Sequence, residues 1–132
     1  MKIIDKLAWI EIVNKKILST KSFGKNKYYI PGGKRENYET DQQALCREIK
    51  EELSVELNSD TLKFIGVFQA QAHGHSADTL VKMTCYSASY TGVLKADSEI
   101  EEIVWLTSSD KDKISEVDKL IFDFLKESYM LE

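Results

Sequence analysis

The sequence predicts an α+β domain in which helices pack on a mixed β-sheet. Two observations lead to this prediction. Segments with the composition of strands lie on both sides of a helical stretch at residues 40–53, and a second amphipathic helix lies near the end of the chain. The chain has 132 residues, of which 42% are hydrophobic and 30% charged, a composition that supports one folded core. We therefore expect a single domain over residues 1–132.

Strand predictions rest on runs rich in β-branched and aromatic residues. The first two are Leu7–Val13 and Lys16–Thr20, and the Asn-Lys pair between them predicts a tight hairpin. A short strand at Lys27–Ile30 is expected to end at Pro31, because a proline followed by two glycines favours a backbone turn. Later strands are predicted at Leu62–Ala72, Leu80–Tyr90 and Glu101–Leu106.

Two helices are predicted from residue periodicity. The first covers Thr40–Leu53, where Thr40 or Asp41 can cap a run of good helix formers. The second lies near the C-terminus, where apolar residues recur at helical spacing and charged residues occupy the opposite face. The apolar face of this second helix consists of Ile114, Val117, Leu120, Ile121, Phe124 and Leu125.

Composition also excludes several classes of function. The formal net charge is −4, from 18 basic and 22 acidic residues, which argues against a stable nucleic-acid partner. Cys46 and Cys85 form no CxxC pair, so neither a disulfide framework nor a thiolate metal site is indicated. We find no signal peptide and no apolar run of roughly 20 residues. We therefore expect a cytoplasmic protein without a membrane partner.

The predicted first helix carries a cluster of acids. At 100° per residue, Glu48, Glu51 and Glu52 fall within an arc of about 100° beside the apolar face. Carboxylates packed side by side raise each other's pKa unless a cation intervenes, and hard oxygen ligands suit Mg²⁺ or Mn²⁺. The alternative is a solvated acidic face balanced by Arg47 and Lys50. The glycine turn before the helix favours the metal site, since it offers backbone groups beside the carboxylates.

The spacing of these residues resembles the signature of the Nudix hydrolases. That signature is G, five residues, E, seven residues, then REUxEExGU, where U is bulky and aliphatic. Here Gly33 is followed by Glu39 and then by residues 47–55, REIKEELSV. The one departure is Ser54 in place of the last glycine. A left-handed helix end would cost serine roughly 1 kcal/mol, but no carboxylate is lost, so an active enzyme is expected.

The resemblance covers the whole chain, whose size is that of the compact MutT-type members. It implies an α/β/α sandwich with a mixed sheet between the signature helix and the C-terminal helix. It also implies a site for Mg²⁺, with Mn²⁺ as a substitute. The expected metal ligands are the carboxylates of Glu48, Glu51 and Glu52 and the carbonyl of Gly32.

The remaining signature residues are given supporting roles by the same resemblance. Glu48 or another nearby carboxylate would accept a proton as water attacks phosphorus. Arg47 would orient the adjacent acids through charge-assisted hydrogen bonds, and Glu39 would support the loop and the start of the helix. Nudix enzymes often recruit a further acid from the loop before a late strand. Glu99 is our choice as metal ligand or general base, with Glu102 as the alternative.

Substrate contacts are expected from basic and aromatic residues near the glycine turn. Lysines there can meet phosphate, while aromatic residues either stack on a base or belong to the core. A loop histidine either touches phosphate or has no role. The candidates are Lys21, Phe23, Tyr28, Lys34 and His73.

The resemblance implies a Mg²⁺-dependent pyrophosphohydrolase that cleaves a nucleoside diphosphate linked to another group. A nucleoside triphosphate, cleaved to the monophosphate and pyrophosphate, is the preferred small-molecule substrate. ADP-ribose, a dinucleotide and other nucleoside diphosphate derivatives are alternatives. So is a non-catalytic nucleotide-sensing domain, although such domains commonly lose signature acids. A purely structural domain would leave the clustered glutamates unexplained.

Overall fold

A computed structural model of the protein describes residues 2–72 and 78–132. Nine strands and two α-helices are present in these ranges, together with short 3₁₀ turns at Ser59–Thr61 and Ser108–Lys113. The strands are β1 (Lys2–Trp9), β2 (Ile12–Val13), β3 (Lys16–Ser22), β4 (Gly32–Lys34), β5 (Glu56–Leu57), β6 (Lys63–Gln71), β7 (Thr79–Ser87), β8 (Tyr90–Thr91) and β9 (Ile100–Leu106). The helices are α1 (Asp41–Leu53) and α2 (Glu116–Glu127).

The main sheet has four strands in the order β4-β1-β7-β6. It is mixed, because β1 runs parallel to β7 and antiparallel to β4, while β6 and β7 are antiparallel. A second sheet has the order β2-β3-β9, and β5 pairs with β8. Helix α1 packs on β1 and β4, and helix α2 packs on β6 and β7.

Strand β1 separates two apolar cores because successive side chains of a strand point to opposite faces. Leu7 and Trp9 pack in the core that contains α1. Ala8 and Ile10 pack in the core that contains α2. The arrangement is the expected α/β/α sandwich, and the prediction of fold class is confirmed.

The predicted strand Leu7–Val13 is divided in the structure. Its first part belongs to β1 and its second part is β2, because the chain leaves the main sheet after Trp9 and joins β3 in the second sheet. The hairpin that follows is as predicted. Asn14 and Lys15 have φ values of 53° and 62°, the left-handed pair that a two-residue hairpin with the twist of its strands requires.

The glycine turn differs from its prediction. Gly32–Lys34 is a strand, β4, whereas the predicted strand Lys27–Ile30 makes only isolated bridges. Gly32 has φ +149°, and a Cβ built there would lie 2.0 Å from the carbonyl oxygen of Leu7. The absence of a side chain therefore lets β4 approach β1 closely enough to pair with it.

Both helix starts are set by caps. Thr40 forms a capping box with Gln43 at the start of α1, as its sequence position predicts. Ser115 caps α2, which begins at Glu116, so the predicted helical residue Ile114 lies before the helix. Among the described residues, no helix is long and apolar enough to cross a membrane.

Ser54 ends α1 in the left-handed conformation, with φ 61°, and its hydroxyl donates to Asp97 at 3.0 Å. Ser54→Gly and Ser54→Ala both remove this hydrogen bond, so a comparison of the two isolates backbone strain. We expect the glycine variant to exceed the alanine variant by about 1 kcal/mol in free energy of unfolding, measured with urea. Equal stability of the two variants would contradict a strained helix end.

Candidate active site

An open cavity of about 350 Å³ lies where α1 faces β1, β3 and β4. Its walls combine both signs of charge, because acids from the signature helix and the late loop face lysines from the strands and an adjacent loop. These charged residues are Glu48, Glu52, Glu99, Lys6, Lys25 and Lys34. A cavity of this composition suits an anionic ligand together with a cation.

Glu52 is the most buried of the cavity acids, with 7% of its surface exposed. Its Oε1 accepts a hydrogen bond from the Gly32 N–H at 3.2 Å. Burial raises the pKa of Glu52 to about 8, and the charges of Glu48 and Glu99 act in the same direction. Ionised Glu52 therefore requires a further positive charge to offset the loss of hydration.

Glu48 lies directly against Gly33 of β4. A Cβ built on Gly33 would be 2.3 Å from the carboxyl carbon of Glu48, so any other residue at position 33 would displace this carboxylate. Burial raises the pKa of Glu48, opposed by a hydrogen bond from Arg47 at 3.0 Å. The glycine therefore gives the carboxylate its place beside the backbone.

Arg47 connects the loop before α1 to the acids on the helix. Its guanidinium donates two hydrogen bonds to Glu39, at 2.7 and 2.9 Å, and a third to the carbonyl of Lys34 at 3.1 Å. The bond from Arg47, together with one from the Glu36 N–H, lowers the pKa of Glu39 to about 2. Arg47 is thus hydrogen-bonded to Glu39 and Glu48, and Glu39 links it to the backbone of the loop before α1.

The side chains of the cavity suit a hard divalent cation in their chemistry, although they do not form a preassembled ligand set. Among the described residues, no three acidic, histidine or cysteine side chains converge as a ready-made ligand set. Glu51 is 53% exposed at its side chain, lies 3.5 Å from Arg47 and does not line the cavity. The fit rests on the chemistry of Glu48, Glu52 and Glu99, whose carboxylates line one cavity and are the hard oxygen ligands that Mg²⁺ and Mn²⁺ prefer.

The acids of the late loop and strand β9 have different surroundings. Glu99 lines the cavity, and its carbonyl accepts a hydrogen bond from the Phe23 N–H at 2.9 Å. Glu101 pairs with Lys21 at 2.7 Å, and Glu102 accepts from the Tyr28 hydroxyl at 2.8 Å. Of these three acids, Glu99 is the one that lines the cavity together with Glu48 and Glu52.

The sequence-predicted substrate residues are divided by the structure. Lys34 lines the cavity, whereas Lys21 and Tyr28 are held by the acids of β9 and do not line it. Phe23 is 65% exposed and also lies outside the lining. His73 lies outside the described residues.

Sequence reasoning missed two basic residues of the cavity, Lys6 and Lys25. Lys6 interrupts the apolar part of β1, where a charged residue next to the buried Leu7 is a signal of a polar site. Lys25 lies in a polar loop, and nothing in its local sequence distinguishes it from a solvated lysine.

The NUDIX domain model matches residues 7–124 of the chain. The protein therefore belongs to the NUDIX family, and it is a Nudix hydrolase. A comparison with curated protein sequences returned no match.

Solved structures share the fold. The E. coli ORF135 protein is 24% identical, with a TM-score of 0.73 over 97% of this chain and 94% of that chain. A MutT NUDIX hydrolase from Burkholderia pseudomallei is 18% identical, with a TM-score of 0.75 over 93% and 98% of the two chains. A MutT protein from Methanosarcina mazei is 14% identical, with a TM-score of 0.76 over 97% and 96%. At these identities the likeness shows the fold.

The raised pKa of Glu52 predicts how stability depends on pH without metal. Between pH 4.5 and about 8 the folded protein holds this proton more tightly than the unfolded chain, so stability falls as the pH rises through that window. With pKa values of 4.5 and about 8, Glu52 accounts for roughly 3 to 4 kcal/mol of lost stability between pH 5 and pH 8, and we expect Glu52→Gln to abolish that loss. Urea unfolding of both proteins in chelator, at several pH values, measures this difference in the free energy of unfolding. An unchanged pH dependence in Glu52→Gln would show that Glu52 is not the titrating group.

Proposed function

We propose that this protein is a Mg²⁺-dependent pyrophosphohydrolase that acts in the cytoplasm on a nucleoside diphosphate linked to a further group. The preferred substrate is a nucleoside triphosphate, cleaved to the monophosphate and pyrophosphate. The observation that carries the proposal is that Glu48, Glu52 and Glu99 line the same cavity as three lysines. Carboxylates bind the cation and lysines bind phosphate oxygens, so both parts of a metal-phosphate complex have partners.

The cation would be held by carboxylates and one carbonyl around the glycine turn. When bound, Mg²⁺ or Mn²⁺ neutralises charge on the phosphates and lowers the pKa of a bound water. Glu51, on the exposed side of the same helix, completes the set that the family signature implies. The proposed ligands are Glu48, Glu51, Glu52, Glu99 and the carbonyl of Gly32.

The chain's own residues supply proton transfer and orientation. Glu48 or Glu99 accepts the proton of the attacking water, and the raised pKa of Glu48 favours this role near neutral pH. Arg47 acts through Glu48, since its donors are directed at glutamates and a backbone carbonyl. Lys34, Lys6 and Lys25 are positioned to meet the phosphates.

Two features favour a single nucleotide over larger substrates or mere sensing. A cavity of about 350 Å³ lies at the small end of the ligand-pocket range, which favours a triphosphate over a dinucleotide. The retained signature acids, Glu48, Glu51 and Glu52, favour catalysis over nucleotide sensing. The Burkholderia pseudomallei structure is described as a hydrolase, which agrees with catalysis.

The test is release of phosphate or pyrophosphate from a panel of nucleoside triphosphates, ADP-ribose and dinucleotides, with Mg²⁺, Mn²⁺ or EDTA. We expect turnover of at least one triphosphate with either metal and little in EDTA. Full hydrolysis in EDTA would overturn the metal assignment. Turnover of ADP-ribose or a dinucleotide alone would overturn the preferred substrate, and nucleotide binding without turnover would identify a sensor.

The signature acids should contribute unequally to turnover. We expect Glu48→Gln, Glu51→Gln and Glu52→Gln each to lower kcat by at least about 100-fold, because each removes a charge required in the transition state. Glu39→Gln should cost less, since Glu39 acts through Arg47. Glu56→Gln is the matched control, because Glu56 pairs with Lys50 outside the cavity. A folded Glu39→Gln variant that proved the least active would refute this division of roles.

Glu99 and Glu102 can be separated by the same kind of substitution. We expect Glu99→Gln to lower turnover and weaken metal affinity, because Glu99 lines the cavity. Glu102→Gln should leave both near wild type, because Glu102 is bound to the Tyr28 hydroxyl. The measurement is kcat as a function of Mg²⁺ concentration. The reverse pattern would move the assignment to Glu102, and no effect of either change would leave the signature helix alone with the chemistry.

A further inference from the structure

Asp118 is a buried acid that the proposed hydrolysis does not use. It lies in the first turn of α2 with none of its surface exposed. Its Oδ2 accepts a hydrogen bond from the Ile30 N–H at 3.0 Å, and its Oδ1 has no partner among the described residues. Burial raises its pKa to about 7. An ionised carboxylate that is buried with one oxygen unpaired destabilises the fold.

A role for Asp118 is indicated by the backbone segment that it contacts, because a second buried acid contacts the same segment two residues later. The Ile30 N–H is held by Asp118 of α2, and the Gly32 N–H is held by Glu52 of α1. Pro31, between them, has no N–H to donate, and its carbonyl accepts from the Trp9 N–H at 2.9 Å. Two buried acids, one from each helix, thus hold the same three-residue segment, which ends at the first residue of β4.

Metal binding would change this arrangement on one side. Glu52 is a proposed ligand, and its carboxylate would be shared between the ion and the Gly32 N–H, because a carboxylate has two acceptor oxygens. Asp118 lies on the other helix and does not line the cavity, so its bond to Ile30 is independent of the ion. The Ile30–Gly32 segment therefore keeps its hydrogen bond to Asp118 while the carboxylate of Glu52 is shared with the ion.

We propose that Asp118 is a positioning residue that holds the Ile30–Gly32 segment in place for metal binding at Glu52. The inference rests on the proposed function, because it requires Glu52 to bind the metal. The positive charge of Lys6 lowers the pKa of both Glu52 and Asp118.

The wild-type protein allows a first test that needs no variant. Backbone amide signals of Ile30 and Gly32 are followed by NMR and hydrogen exchange as Mg²⁺ is added without substrate. We expect the Gly32 amide signal to shift, because its acceptor Glu52 binds the ion, while the Ile30 amide keeps its protection. Loss of protection at Ile30 on metal addition would overturn the proposal.

A second test uses two substitutions that differ in the acceptor. Asp118→Asn keeps an oxygen that can accept from Ile30, whereas Asp118→Leu keeps the branching at Cγ and removes the acceptor. We expect the leucine variant to bind Mn²⁺ about tenfold more weakly, measured by calorimetry and electron paramagnetic resonance, since such supporting bonds commonly govern metal affinity at that scale. The asparagine variant should stay within about threefold of wild type.

Phe122→Leu is the matched control, because Phe122 is buried in the same helix but belongs to the apolar core. We expect it to lower stability without changing Mn²⁺ affinity. Wild-type affinity in folded Asp118→Leu would overturn the proposal. So would a folded Asp118→Asn variant as weak as the leucine variant, or changes in KM among nucleotides at constant metal affinity, which would make Asp118 a substrate contact. A wild-type protein that binds no Mn²⁺ and hydrolyses no nucleotide would overturn the proposed function itself.

Discussion

The hydrogen bond from the Gly32 N–H to Glu52 joins α1 to β4 at a place where the carboxylate is withdrawn from water. An acid can occupy that place only at the border of an apolar helix face, beside Ile49 and Leu53, which anchor α1 in its core. The same burial that fixes the geometry raises the pKa of Glu52. The active site is therefore built around a charge that the fold alone does not fully compensate.

The other signature residues position groups around that charge. Arg47 donates hydrogen bonds to Glu39 in the loop before α1 and to Glu48 on the helix, so one cation links acids on both sides of the helix start. The two glycines remove side chains where backbone and carboxylate must approach. Geometry that would be strained with any larger residue becomes the resting state of the protein.

Strand β1 lies at the centre of this construction. Its alternating side chains serve both apolar cores, and its edge towards β4 receives the glycine strand. The cavity opens where the main sheet meets β3, so groups from both sheets reach it. Asp118 extends the same arrangement to α2, since it touches the segment that enters β4 from the opposite core. Helices on the two faces of the sheet thus meet at one backbone segment.

The sequence by itself determined the features that depend on local order. Capping and helical periodicity define α1 to within one residue, and the spacing along that helix brings Glu48 and Glu52 to the cavity, while Glu51 lies outside its lining. Tertiary structure decided the features that depend on distant partners. Gly32–Lys34 becomes a strand because β1 lies beside it, and Lys21 and Tyr28 turn to acids of β9 rather than to the cavity. Packing of distant segments also places Lys6 in the lining of the cavity and buries Asp118 completely. Periodicity reports which residues share a face, whereas the identity of what covers that face comes from chain segments far away in sequence.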